Sequence, residues 1–172
     1  MSWLQSIKNR LTGAKYARAT PCYKAIVAAA RQPRFYQNLA IPDTPQGRFE
    51  MIMLHAWLVM NRIAEREPEF TQDLFDLMFA DFDTSLRELG VGDLGVGHRV
   101  KGWAQAFYGR VAAYKTALAD EALMDEALAR NIFAGQKSQH TKALAFYVRC
   151  AVNSLDTQAP ADIMAGRISW PD

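Results

Sequence analysis

Apolar residues recur along this chain at helical rather than strand spacing. In SWLQSIKNRL, residues 2–11, Trp3, Leu4, Ile7 and Leu11 share one face while Lys8 and Arg10 stand off it. Thr20-Pro21 starts a second helix, CYKAIVAAARQ, because proline is tolerated in the first turn, and Gln32-Pro33 stops it. The loop IPDTPQG follows, with Asp43 or Thr44 as candidate caps for RFEMIMLHAWLVMNRI. That stretch is apolar almost all round, which predicts a central helix covered by its neighbours. Pro68 separates it from an acidic helix ending near Leu89, where Phe75, Met78, Phe82, Leu86 and Leu89 keep helical spacing. VKGWAQAFYGRVAAYKTALAD, EALMDEALARNIF closed by Ala134-Gly135, and HTKALAFYVRCAVNSL read as three more helices. PADIMAGRISW is a short helix or tail. No segment shows the two-residue alternation of a strand. The expected fold is all-α, a single-domain bundle of about six to eight helices. Residues 1–20 form a basic amphipathic N-terminal segment, and residues 21–172 the helical domain.

One motif argues for a different chemistry. GVGDLGVG contains G-x-G-x-x-G at Gly90, Gly92 and Gly95. A dinucleotide site needs a buried strand before the glycines and an acid about 20 residues on. Here a helical pattern precedes them, and no acid follows before Asp120. The reading is therefore mechanical. Gly90, Gly92, Gly95 and Gly97 form a joint between two helices, with Gly92 expected at positive φ and Asp93 as a candidate cap for the exposed amides of the next helix.

Composition removes several function classes. The 172 residues are 50% hydrophobic and 22% charged, a soluble composition of one domain's length. The longest nearly apolar run, MIMLHAWLVM, is half the length of a membrane-spanning helix, about 20 residues. Cys22 and Cys150 share no metal spacing, and His55, His98 and His140 form no ligand pair, so no metal or cofactor is expected. His55 sits among apolar residues and reads as a hydrogen-bonded core histidine. Ser85 and Ser138 lack a nucleophile-elbow context. With no catalytic constellation the chain reads as a binding protein, not an enzyme.

Charge is distributed unevenly. The net charge is +2, yet seven basic residues and no acid fall within residues 1–42. Eight acids lie within residues 65–88. The basic quarter therefore suits an anionic partner, lipid headgroups or RNA, or else the chain's own acidic helix. On the membrane reading, Trp3, Leu4, Ile7 and Leu11 dip into the interface while Lys8 and Arg10 meet anionic lipid. No motif for DNA is present.

Two patterns suit apolar recognition. Met51, Met53 and Met60 cluster on the central helix, where methionine either fills a core or lines an adaptable surface. Gly102, Ala106, Gly109 and Ala113 form a strip of small residues, with Arg110 beside it. Such a strip permits a close crossing inside the bundle or the approach of an incoming helix. Met51, Met53, Gly102, Ala106, Gly109, Arg110 and Ala113 are the partner-binding candidates.

Three blocks carry a family likeness. GRFEMIMLHAWLVMNR (Gly47 to Arg62), LRELGVGDLGVGHRVK (Leu86 to Lys101) and FYGRVAAY (Phe107 to Tyr114) resemble the ubiquinol–cytochrome c chaperone family, in that family's order. The resemblance spans roughly residues 35–133. It implies an assembly factor for the cytochrome bc1 complex that engages newly made cytochrome b or another subunit, with a small co-chaperone or the ribosome as further partners. Relatives in mitochondria carry longer N-terminal parts, whereas this chain begins almost directly with the core. A bacterial cytoplasmic protein peripheral to the inner membrane is expected, the alternative being the matrix side of the mitochondrial inner membrane. The alternative function is an RNA- or ribosome-binding helical module using the basic segment.

Overall fold

The apolar stretch around Met51–Met60 offers water no polar face, and the other helices are arranged to cover it. The computed structural model describes residues 16–172, apart from the side chains of Asp93 and Leu94. Its helices are α1 (Thr20–Ala30), α2 (Pro33–Gln37), α3 (Pro45–Ile63), α4 (Pro68–Glu88), α5 (Asp93–Ala117), α6 (Glu121–Ile132), α7 (Gln139–Asp156) and α8 (Pro160–Met164). No strand occurs among the described residues. The fold is all-α, as the periodicity requires. Every residue from Phe49 to Met60 is buried, and α3 packs against α1, α4, α6, α7 and α8. Helix α5 leans on α4 and α6. It reaches α3 through long side chains: Trp103 onto Phe49 at 4.7 Å and Tyr114 onto Trp57 at 4.9 Å between ring centroids.

Local chemistry sets the helix limits. Prolines open α2, α3, α4 and α8, where a missing N–H leaves no hydrogen bond unmade. Thr44, not Asp43, caps α3, its hydroxyl accepting from the Gly47 amide at 3.1 Å. Ser138 and Thr141 form a reciprocal capping box on α7. The loop before α3 folds back so closely that a Cβ on Gly47 would lie 2.0 Å from the Pro42 carbonyl oxygen.

The glycine joint differs from expectation. Gly90, at φ +82°, is the left-handed residue. Around it the Val91 amide donates to the Leu86 carbonyl at 3.1 Å and the Gly90 amide to Arg87 at 3.0 Å. This pair of bonds is a Schellman stop for α4. Gly92 has φ −64° and ψ 156°, so it needs no left-handed freedom, and it is the N-cap of α5. Helix α5 therefore starts at Asp93, and Asp93 is its first residue rather than its cap. Gly95 and Gly97 lie within the helix. A Cβ on Gly95 would meet Val91 Cγ1 at 3.1 Å, whereas one on Gly97 would meet nothing within 4 Å.

His55 is the core histidine that its surroundings suggest. It is fully buried, with Nδ1 2.8 Å from the Met51 carbonyl and Nε2 2.8 Å from the Tyr147 hydroxyl. A carbonyl only accepts, so Nδ1 carries the proton and Nε2 accepts from Tyr147. Phe35 and Trp170 pack edge-on to the imidazole. Burial, helped by nearby Arg34, pushes the imidazole down to about 4 against the hydrogen bond to Met51.

Two predictions follow from these elements. Gly90→Val should destabilise the protein by about 1–2 kcal/mol, because a left-handed β-branched residue is strained, while Gly92→Val should cost less; thermal melts rank the two, and the reverse order would reject this account of the joint. The unfolded His55 binds its proton below about 6.5 and the folded one only below about 4. Its contribution, on the order of 3 kcal/mol, is present above pH 6.5 and lost as pH falls toward 4. Urea denaturation across that window should show a steeper loss of stability in the wild type than in His55→Gln, and equal slopes would exclude this titration.

Candidate binding groove

Side chains of α3, α4 and α5 leave an open groove of about 260 Å³ beside the Trp57–Tyr114 contact. Trp57, Met60 and Ala64 come from the C-terminal half of α3 and its end; Pro68, Thr71 and Phe75 come from the first turns of α4. Helix α5 contributes Phe107, Tyr108, Val111 and Lys115, which its 3.6-residue turn brings to one flank. The surface is mostly apolar, and two of its polar side chains bond elsewhere. Thr71 Oγ1 donates to the Glu67 carbonyl at 2.9 Å, and Gln72 donates to Asp76 at 2.8 Å.

Tyr108 is 59% exposed, the most open ring on this face, and is held over Phe75 at 5.4 Å between centroids. Trp57 is 1% exposed, and its Nε1 is buried without a hydrogen-bond partner. The volume is below the roughly 300–1,000 Å³ typical of small-molecule sites. A shallow apolar trough of this kind fits a few side chains of a helical segment. Among the described residues no cluster of His, Cys, Asp or Glu is placed to bind a metal ion. No helix among those residues is long and apolar enough to cross a membrane.

The sequence candidates fall differently. Met51 and Met53 are 0% and 1% exposed, so they fill the core and present nothing to a partner. Arg110 also faces inward. Its Nε and Nη2 donate to the two carboxylate oxygens of Glu50 at 2.8 and 2.5 Å, and Gln46 donates to the same carboxylate at 2.7 Å. Burial raises the Glu50 carboxyl despite the guanidinium beside it. Removing one partner of such a pair leaves a buried charge, a cost of about 3–5 kcal/mol.

The small-residue strip is not an internal crossing at its glycines. Gly102 and Gly109 are exposed, and a Cβ on either would meet nothing within 4 Å. Ala106 and Ala113 are half-buried. At 100° per residue the strip lies about half a turn around α5 from Tyr108, Val111 and Lys115.

The basic quarter is partly paired within the molecule. Arg18 reaches Glu67 at 2.7 Å and lies over the Phe70 ring at 5.4 Å. The Tyr23 hydroxyl donates to Asp81 at 2.7 Å. Trp3, Leu4, Ile7, Lys8, Arg10 and Leu11 lie outside the described residues.

Sequence reasoning missed the groove. The available signal was the breadth of the apolar stripe on α5: Trp103, Phe107, Tyr108 and Val111 cover more than one core-facing line, so a ring at its edge must face outward.

Comparison with known proteins now bears on this surface. The profile described as ubiquinol-cytochrome C chaperone matches residues 37–170. The crystal structure of the Cbp3 homolog from Brucella abortus is similar at TM-score 0.81 and 40% sequence identity, over 98% of this chain and 97% of that one. No curated protein matches the chain. The profile takes in all three sequence blocks and every residue lining the groove, and this chain belongs to the ubiquinol–cytochrome c chaperone family.

Proposed function

We propose that this protein is an assembly chaperone of the cytochrome bc1 complex, and that it holds newly made cytochrome b with an apolar segment seated in the α3–α4–α5 groove. One observation carries the reading. The exposed apolar trough is built where two of the three family blocks meet, Trp57 and Met60 from the first and Phe107, Tyr108 and Val111 from the third. Unassembled membrane helices aggregate or are degraded because their burying partners are missing. A groove that covers part of such a helix slows both fates without any chemistry.

The strip Gly102–Ala106–Gly109–Ala113, on the side of α5 away from the groove, is a second, separate contact for an apolar helix, in keeping with small-residue packing between membrane helices. Trp3, Leu4, Ile7 and Leu11, with Lys8 and Arg10, supply a peripheral contact to an anionic inner-membrane surface. The RNA reading is weakened because Arg18 is turned onto Glu67 and Arg34 donates to the Pro171 carbonyl.

Removing the protein should lower cytochrome b content and quinol–cytochrome c reductase activity while cytochrome b messenger RNA stays level. Val111→Asp, which places a charge on the groove wall, should fold yet fail to restore either. Normal cytochrome b in the deletion strain would overturn the function, and full rescue by the variant would move the client elsewhere. Gly109→Leu should keep or raise the melting temperature, since glycine in an exposed helix costs about 1 kcal/mol against a good helix former, and should reduce cytochrome b capture. A lower melting temperature, or undiminished capture, would remove the strip from the client surface.

A further inference from the structure

The described chain starts at one end of the groove. Arg18 is bound to Glu67, the residue before Pro68, and Pro68 lines that end together with Ala64 and Thr71. Residues 1–15 precede this point, and their apolar side chains Trp3, Leu4, Ile7 and Leu11 recur at helical spacing. Leu11 is seven residues from Arg18, a reach of about 23–25 Å when extended. From Pro68 to Phe75 the groove follows two turns of α4, about 10 Å at 1.5 Å per residue. A helix over residues 3–11 is about 12 Å long by the same rise. Length and reach both match.

Charge matches as well. Residues 1–15 hold Lys8, Arg10 and Lys15 and no acid, while α4 carries Glu69, Asp73 and Asp76 beside the groove-lining Thr71, Gln72 and Phe75. Opposite charges flanking an apolar trough fix the orientation of an apolar stripe that enters it.

We propose that the resting occupant of this groove is the chain's own N-terminal stretch, residues 3–11, lying with its apolar stripe on the groove and its basic residues toward α4. A client segment then enters by displacing it, and an anionic membrane surface draws the same stretch away from the groove. The competition with a client rests on the reading of the groove given above; the docking does not.

The test is disulfide formation in the full-length chain carrying Cys150→Ala, Ile7→Cys and Val111→Cys. Its control replaces Val111→Cys with Lys142→Cys, at an exposed position on α7. Tethering in the groove should make the 7–111 disulfide form about tenfold faster than the control, within one chain, and added salt should slow it. Equal rates for the two pairs would overturn the proposal, as would a product that is a cross-linked dimer, which would make a second copy the occupant. Capture of cytochrome b separates the two readings. If Val111→Asp leaves capture unchanged while the 7–111 disulfide forms, the client assignment fails and self-docking stands. If capture falls but the pair forms no faster than the control, the reverse holds.

Discussion

Helix α3 has almost no polar face, and this constraint orders the rest of the molecule. A helix that is apolar all round cannot lie on a surface; it has to be enclosed. Enclosing the stretch from Phe49 to Met60 takes neighbours on every side, and α1, α4, α6, α7 and α8 supply them. The long side chains of α5 close the remaining side at Phe49 and Trp57. The groove is a by-product of this arrangement. It opens beside the aromatic spacers on which α5 stands off α3, so the core and the candidate site share residues such as Trp57 and Phe107.

Two polar side chains that α3 buries are paired, and each pairing ties it to another element. His55 joins α3 to α7 through Tyr147, and Glu50 joins it to α5 through Arg110. Neither arrangement is a catalytic device. The imidazole is fully buried with both nitrogens engaged, so no substrate reaches it, and the carboxylate is capped on both oxygens. Their effect is directional: apolar packing tolerates rotation of a helix about its axis, whereas hydrogen bonds of fixed geometry do not.

Much of this was legible in the sequence because the signals were periodic. The enclosed α3, the core role of His55, the stops at Pro33 and Gly135 and the break at Pro68 follow from spacing and from the backbone chemistry of proline and glycine. The failures share a different cause. Gly90 and Gly92 are two residues apart in a run of glycines, and only the closing hydrogen bonds to Leu86 and Arg87 decide which one turns left-handed. Met51 and Met53 were ambiguous because methionine serves cores and surfaces alike. Arg110 found Glu50 sixty positions away, a pairing that no local pattern encodes. The groove itself is a gap, and a gap belongs to no residue.

The bidentate Glu50–Arg110 pair has a kinetic consequence. Turning α5 by one residue, about 100°, would break both hydrogen bonds and strand a buried carboxylate, so the wall carrying Tyr108 and Val111 is held in one orientation before anything binds. A surface fixed in advance imposes no ordering step on association. On the function proposed here, its capture rate would be set by encounter and by how fast the N-terminal segment leaves, rather than by rearrangement of the walls. If the client is a newly made polypeptide, as proposed, the deciding event lies at the mouth of the groove and not within the fold.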